Sequence, residues 1–295
     1  MEKALQIKNL VKRYKGFQLG PIDLDLEPGV VCGYIGPNGA GKTTTMHCIA
    51  GLLKTNGGEI EIFGKKNDIN HPEWKYDIGY VGDYHPFYEK WTGAVNLKIV
   101  SKFFPSWSDN AVQELARRFD ADLEKPIKSL STGNRIKVAL ISVLARSPRL
   151  LLFDEPTAGL DPVVRAEVLD VLFEILEKGE SAIFYSTHIL SDISRLADNI
   201  VFLKNGKIIL RKVKDDLSDN WRKITFRLDK QYSTFEAVVK VRQEEREYQL
   251  ISSNYQATIR QLRSIGAENI QENRLTIDEI AVEILKGGSD VISSL

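Results

Sequence analysis

The sequence predicts an α/β fold with a mixed sheet, a helical insert and a small C-terminal α+β module. Three observations lead to this prediction. Short apolar strands alternate with helical patterns as far as about residue 215, which is typical of an α/β core. The stretch from about 84 to 145 becomes aromatic and helical, and alternating strands begin again after about residue 217. We therefore expect two domains, residues 1–215 and residues 220–295.

The strands of the core are recognised by their apolar patterns. Ile22, Leu24 and Leu26 alternate with acidic residues, as a half-buried strand does. The run at 30–35 is apolar almost throughout, which is typical of a strand covered on both faces. Further strands are predicted at 58–64 and 77–82, in the run that ends at Asp154, and at 181–186. Asn205-Gly206 predicts a hairpin over 199–210.

Helical spacing predicts the remaining elements. Within the insert it covers 111–119, and in the core it covers about 163–177. Most of the insert's aromatic rings are expected to lie in the core, as large side chains usually do. After residue 217, three alternating strands and a helix over 258–266 precede an amphipathic helix at 278–286. We assign all of these last elements to the C-terminal module.

Composition limits the function classes. The 40 basic and 40 acidic side chains give a formal net charge of zero, and binding of a phosphate backbone usually needs a basic excess. We therefore expect no nucleic-acid partner. Neither a run of about 18 apolar residues nor a secretory signal is found, so we expect a soluble, cytosolic protein. Cys32 and Cys48 lack CxxC spacing and are predicted to be buried free thiols.

A glycine-rich loop gives the clearest chemical signal. Residues 36–43, GPNGAGKT, match G-x-x-x-x-G-K-[ST] between a predicted strand and a predicted helix. The glycines allow backbone N–H groups to approach a phosphate closely at a helix N-terminus. Lys42 places a cation near the β- and γ-phosphates, and the Thr43 hydroxyl can ligate Mg²⁺. The alternative is an ordinary glycine-rich turn, which the complete match disfavours.

Two carboxylates follow the apolar strand at 150–154. Asp154 lies at the predicted carboxyl end of that strand, where open parallel sheets bind ligands, and it can hold hydrated Mg²⁺. Glu155 can polarise an attacking water or accept its proton. The alternative, a solvated pair at a strand end, is less favoured beside a phosphate loop.

Two further motifs remain ambiguous from the residues alone. LSTGN at 130–134 precedes a helical stretch, so Ser131 is a suitable N-cap, and Gly133 can expose backbone N–H groups to a second anion. A plain helix cap explains the same residues. His188 follows a predicted strand and can contact a γ-phosphate, although a lone histidine is more often an ordinary surface or core residue.

The order GPNGAGKT, LSTGN, LLLFDEP, AGLD and STH resembles the nucleotide-binding subunits of ATP-binding cassette (ABC) transporters. The resemblance covers about residues 3–212 and implies an ABC-type P-loop ATPase with ATP and Mg²⁺. It implies catalytic roles for Glu155 as base, His188 as γ-phosphate switch and Lys42. Tyr14 matches the aromatic that stacks on adenine. The full set of implied nucleotide contacts is Tyr14, Gly36, Asn38, Gly39, Ala40, Gly41, Lys42, Thr43, Thr44, Ser131, Gly133 and Asp161.

The chain departs from the family pattern at two places. The family usually has LSGGQ, whereas this chain has Thr132 and Asn134. Because Ser131 and Gly133 remain, we expect binding to the partner's ATP to persist with altered affinity. Asp83 stands where the family has a glutamine that contacts metal and water. A carboxylate can ligate Mg²⁺, so we include Asp83 with Thr43 and Asp154 as metal ligands, but it cannot donate a hydrogen bond when ionised.

The resemblance also implies partners. ATP is expected between two copies, or a copy and a close paralogue, with Asp161 in the loop at that interface. A membrane permease is the second expected partner, with Phe87, Tyr88 and Trp91 as candidate contacts, which places the chain on the inner face of the membrane. The tail resembles accessory domains of ABC-2-type exporter ATPases, so export of a peptide, antibiotic or lipid is expected. A non-transport ABC ATPase and an ATP-dependent regulatory module are the alternatives.

Overall fold

A computed structural model describes residues 2–82, 87–177, 181–229, 232 and 234–286. The N-terminal region forms an antiparallel sheet in the order β2-β1-β4-β5. Its strands are β1 (Leu5–Tyr14), β2 (Phe17–Leu26), β4 (Gly57–Ile62) and β5 (Lys65–Lys66). The alternating apolar residues of β2 face a core that also buries Cys32 and Cys48. Both thiols are free, as predicted, and burial raises the pKa of Cys32 to about 12 and that of Cys48 to about 11.

A second, six-stranded sheet forms the centre of the chain in the order β10-β9-β3-β8-β7-β6. Its strands are β3 (Val31–Ile35), β6 (Ile78–Val81), β7 (Leu150–Asp154), β8 (Ala182–Thr187), β9 (Asn199–Lys204) and β10 (Lys207–Val213). Neighbouring strands from β6 to β9 pair in parallel, while β10 pairs antiparallel with β9. The carboxyl ends of β3, β7 and β8 therefore meet at one edge, where the motif loops begin.

Helices cover this sheet and form the insert. They are α1 (Lys42–Ile49), α2 (Gly93–Val100), α3 (Asp109–Arg118), α4 (Thr132–Leu144), α5 (Pro162–Glu177), α6 (Leu190–Leu196) and α7 (Lys214–Asn220). Side-chain oxygens cap four of them, with Thr92 before α2, Ser108 before α3, Ser131 before α4 and Asp161 before α5. The predicted N-cap role of Ser131 is thus confirmed. In the part of the chain that the structure describes, no helix is both long and apolar enough to cross a bilayer.

The aromatic residues of the insert differ from the prediction. We expected most of these rings in the core, but Tyr88, Trp91 and Phe103 are 60%, 44% and 68% exposed. Phe87 and Trp107 are only partly buried against the core. Phe119 is fully buried together with aliphatic residues of α4, so the core of the insert is largely aliphatic, and the other rings named here are partly or largely exposed.

A third sheet lies near the C-terminus and is antiparallel throughout, in the order β12-β13-β11-β14. Its strands are β11 (Arg222–Arg227), β12 (Val238–Glu244), β13 (Glu247–Ser252) and β14 (Glu268–Arg274), with α8 (Tyr255–Ser264) between the last two. One face packs on α8 through a separate apolar cluster. The domain boundary between residues 215 and 220 stays a prediction.

The last helix, α9 (Ile277–Lys286), contacts the third sheet, where Glu283 accepts a hydrogen bond from Lys240 of β12 at 2.8 Å, and it also packs on the core of the central sheet. Its assignment to the C-terminal module stays a prediction. The buried face of α9, with Ile280, Ala281 and Ile284, joins the core of the central sheet and contacts α6 and β9. Lys204 in β9 donates to the Leu285 carbonyl at 2.6 Å. The amphipathic pattern predicted a buried face correctly, but it carries no information about which surface covers that face.

Candidate active site

The glycine-rich loop between β3 and α1 forms a cavity of about 670 Å³. Gly39 and Gly41 have φ angles of 76° and 110°, a region that side chains other than glycine rarely adopt. A Cβ at Gly41 would lie 2.8 Å from Leu19, so the close approach also requires glycine. The cavity is lined by Phe17, Asn38, Gly39, Gly41, Lys42, Thr43, Thr44, Glu155, Ala158 and His188. Backbone N–H groups at the start of α1 and one ammonium make this cavity suitable for an anion.

Two more residues of the predicted motif, Gly36 and Ala40, make backbone contacts that hold the loop in place. The Gly36 carbonyl accepts a hydrogen bond from Lys42 Nζ at 2.9 Å, and a Cβ at Gly36 would lie 2.5 Å from the Leu203 carbonyl oxygen. Ala40 is buried, and its carbonyl accepts a hydrogen bond from the Gly206 amide at 3.0 Å. These contacts fasten the loop to β9 and to the turn that follows it.

Asp154 ends β7 beside Thr43 and is 4% exposed. Burial raises the pKa of its carboxyl group, while hydrogen bonds from Ser186 and Thr43 act in the opposite direction. A carboxylate next to a hydroxyl oxygen fits a hard cation such as Mg²⁺. No group of three or more His, Cys, Asp or Glu suited to a metal occurs among the described residues. Thr43 and Asp154 would hold such a cation together with phosphate oxygens or waters.

Glu155 stands between a cation and an imidazole. Its Oε1 lies 3.3 Å from Lys42 Nζ, and its Oε2 lies 2.6 Å from His188 Nδ1 and accepts from the His188 amide at 3.2 Å. The Glu155 backbone has a positive φ of 54°, which is uncommon for a residue other than glycine. The side chain of Glu155 is 14% exposed and that of His188 is 54% exposed. The arrangement can hold a water against a phosphate placed in the loop.

The remaining predicted residues lie apart from this cavity. Ser131 and Gly133 are not among its lining residues, although Thr132 lines an adjacent cavity that Glu155 also borders. Asp161 is exposed, and its Oδ1 accepts from the amides of two residues at the start of α5. Asp83 lies outside the described residues.

Sequence reasoning missed Phe17. It lines the cavity, whereas Tyr14 is 46% exposed and is not among the cavity's described lining residues. The two ring centroids are 6.5 Å apart, so Tyr14 lies beside the ring that lines the cavity. Only the position of Phe17 three residues after Tyr14, at the start of the paired strand, could have indicated it.

Comparison with known proteins decides the family. The family model for the ABC transporter matches residues 19–158. The ABC transporter ATP-binding protein YtrB of Bacillus subtilis (strain 168) is 30% identical over 226 residues, covering 76% of this chain and 77% of that protein. The chain belongs to the ABC transporter ATP-binding proteins. The bacitracin transport ATP-binding protein BcrA of Bacillus licheniformis is 31% identical, with 78% and 77% covered. The lantibiotic transport ATP-binding protein SrtF of Streptococcus pyogenes is 34% identical, with 72% and 91% covered.

Solved structures agree with this assignment. An ATP-binding subunit of an ABC transporter matches with a TM-score of 0.65 and 28% identity, covering 73% of this chain and 92% of that one. A dimeric ATP-binding cassette with ADP and Pi, in a post-hydrolysis state, has the same TM-score at 23% identity and supports the fold. The predicted ABC-type fold is confirmed. As an ABC ATPase, this chain binds and hydrolyses ATP and serves as the ATP-binding subunit that powers a transporter.

Proposed function

We propose that Glu155 is the catalytic base of this ABC ATPase and that Lys42, Thr43, Asp154 and His188 complete the site. The observation that carries the proposal is the position of the Glu155 carboxylate, 3.3 Å from Lys42 Nζ and 2.6 Å from His188 Nδ1 at the phosphate cavity. A base must lie within hydrogen-bonding reach of the water that it activates. Glu155 meets this requirement for a water near the γ-phosphate.

The reaction depends on positioning and on electrostatic stabilisation. Lys42 and the backbone N–H groups of the loop bind the β- and γ-phosphates and stabilise the charge that develops in transfer. Thr43 and Asp154 would hold Mg²⁺, which when bound would neutralise phosphate charge. Glu155 orients the water, and His188 holds the Glu155 carboxylate through Nδ1. Tyr14 and Phe17 flank the nucleotide's base and sugar end.

Two copies, or one copy and a close paralogue, enclose the nucleotides. Ser131 and Gly133 lie outside the phosphate cavity of their own chain. The Ser131 hydroxyl already caps α4, so the start of this helix is formed before it meets the other protomer's nucleotide. Asp161 lies on the exposed loop before α5, where it contacts the same partner.

A groove between the central sheet and the insert receives the membrane subunit. The groove measures about 790 Å³ and is mostly apolar, with Leu52, Phe87, Val100, Phe103 and Phe104 among its lining residues. Phe103 is 68% exposed and lines the groove with the neighbouring Phe104, so its ring is part of a contiguous apolar surface. Tyr88 and Trp91 form an exposed ring pair with centroids 4.5 Å apart, which extends the apolar surface.

The transporter is an exporter, and the chain lies on the cytoplasmic face of the membrane. Relatives carry the names bacitracin transport and lantibiotic transport ATP-binding protein, which supports an antibiotic or peptide as cargo. A lipid is the remaining candidate from the sequence. Co-purification of the chain with its membrane subunit, followed by transport into inside-out vesicles, identifies direction and cargo together.

The Glu155→Gln variant tests the catalytic assignment. We expect its ATP hydrolysis rate to fall by roughly 100-fold or more, because positioned bases contribute about that factor. ATP affinity should be retained, and a dimer should accumulate with ATP in size-exclusion chromatography. Glu59→Gln, an exposed residue of the N-terminal sheet, serves as the control. A Glu155→Gln protein that turns over ATP at the normal rate would remove Glu155 from this role.

A further inference from the structure

A fully buried carboxylate joins three segments of the active-site edge. Asp192 lies near the start of α6, and none of its surface is exposed. Its Oδ2 accepts hydrogen bonds from Thr157 Oγ1 at 2.6 Å and from Tyr185 Oη at 3.1 Å. Its Oδ1 accepts from Arg165 Nε at 2.8 Å and from Nη2 of the same guanidinium. Both oxygens are therefore fully used.

The three partners come from different elements, and each lies close in sequence to a proposed site residue. Thr157 lies in the loop after β7, Arg165 in the first turns of α5, and Tyr185 in β8. Short stretches of chain separate them from the site: Thr157 follows Glu155 by two residues, Arg165 follows Asp161 by four, and Tyr185 precedes His188 by three. The Arg165 amide also donates to the Asp161 carbonyl at 3.0 Å.

The chemistry of the cluster favours one arrangement. A buried carboxylate is costly unless it is paired and hydrogen-bonded, and Asp192 has both a guanidinium and two hydroxyl donors. Burial, followed by the charge of Asp192, raises the pKa of Tyr185 well above its usual value, so this phenol stays a donor. Thr157 Oγ1 and Tyr185 Oη also lie 3.3 Å apart, so displacing any one of the three segments would remove at least one hydrogen bond to the buried carboxylate, which is costly.

We propose that Asp192 is a positioning residue for ATP hydrolysis. Its carboxylate fixes the loops of Glu155, Asp161 and His188 relative to one another without touching the nucleotide. The inference rests on the proposed roles of those three residues. It predicts that Asp192 affects the rate of the chemical step and not the binding of ATP, because, among the described residues, the glycine-rich loop and Lys42, which are proposed to bind the phosphates, make no contact in the Asp192 cluster.

The Asp192→Asn variant tests this positioning role. An amide of the same shape keeps one acceptor oxygen but presents an NH₂ group either to Arg165 or to the two hydroxyls. We expect kcat to fall by roughly 10- to 100-fold, as small misplacements of reacting groups do. The Kd for ATP, measured by fluorescence titration, should stay within about twofold, a separation of binding from turnover that general destabilisation does not produce.

A second variant and a control make the test decisive. Arg165→Lys keeps the charge at a partly exposed position but loses the planar fork, so kcat should fall by a smaller factor with the Kd unchanged. If the Asp192→Asn variant does not fold, the kcat and Kd of Arg165→Lys test the positioning role alone. Asp170→Asn removes the exposed ion pair to Arg195 between the same two helices and should leave kcat unchanged.

Several results would overturn the inference. A kcat within about threefold of the unmodified protein in both variants is one such result. Another is a parallel loss of kcat, ATP affinity and thermal midpoint, which would make the cluster structural only. Normal ATP hydrolysis by the Glu155→Gln protein would contradict the proposed role of Glu155. The kcat and Kd of the Asp192 variant are separate measurements, so the two failures are distinguishable.

Discussion

At the scale of single residues, the site was predictable where a motif fixes both residue type and spacing. Lys42 and Glu155 were predicted this way, because phosphate and water chemistry demand a cation and a base at set positions, and both residues line the cavity. Their roles in catalysis stay predictions. Phe17 was missed, since an aromatic residue at the start of a strand is usually interpreted as core. Its role depends on the pairing of β1 with β2, which sets Phe17 opposite Tyr14. Such neighbours are decided by register and not by local pattern.

Phe17→Ala separates contacts to the base and sugar from contacts to the phosphates. We expect ATP affinity to fall by roughly 3- to 10-fold, since an aromatic contact contributes about 0.5–1.5 kcal/mol. Inorganic tripolyphosphate should compete equally well for both proteins, because the loop is unchanged. Competition titrations give both numbers. Phe173→Ala, a partly exposed ring on α5, is the matched control, and equal affinities for ATP in all three proteins would contradict the role of Phe17.

At the scale of elements, the sequence predicted strands and helices that have one apolar face. β14 was missed because its residues, Glu268–Arg274, are polar and largely exposed, as an edge strand can be. The cap of α4 was predicted because Ser131 precedes a helical run. The exposure of several aromatic rings of the insert was not predicted. Hydrophobicity predicts burial, but it does not show which apolar residues form the core.

Two helix caps of the insert allow a paired experiment. Ser131 Oγ accepts from the Asn134 amide at 3.2 Å, and Ser108 Oγ accepts from the Ala111 amide at the same distance. Either serine replaced by alanine should lower the free energy of unfolding by about 1 kcal/mol, measured by denaturant titration. Only Ser131→Ala should also reduce ATP hydrolysis, because only that serine is proposed to reach the other protomer's nucleotide. Equal hydrolysis rates in the two variants would reduce Ser131 to a cap.

At the scale of the whole molecule, α9 connects the end of the chain to the ATPase core. The helix packs on α6, which begins two residues after His188, and on β9, which neighbours β3. The third sheet is therefore held between two attachments, α7 before it and α9 after it. Periodicity showed that α9 would bury a face. Its partner is set by tertiary packing across about 80 residues of chain, which no local pattern encodes.

Ile280→Ala tests whether α9 stabilises the ATPase core. Ile280 is fully buried in the cluster that includes Ile193 and Leu196 of α6, so its truncation should cost about 2–4 kcal/mol of unfolding free energy. Val282→Ala, on the exposed side of α9, should cost far less. Hydrogen exchange should show faster opening of α6 in Ile280→Ala but not in Ile259→Ala, because Ile259 belongs to the separate cluster under the third sheet. If α6 exchanges at the same rate in both variants, α9 is an appendage of the C-terminal module, and the attachment to the core contributes nothing to its stability.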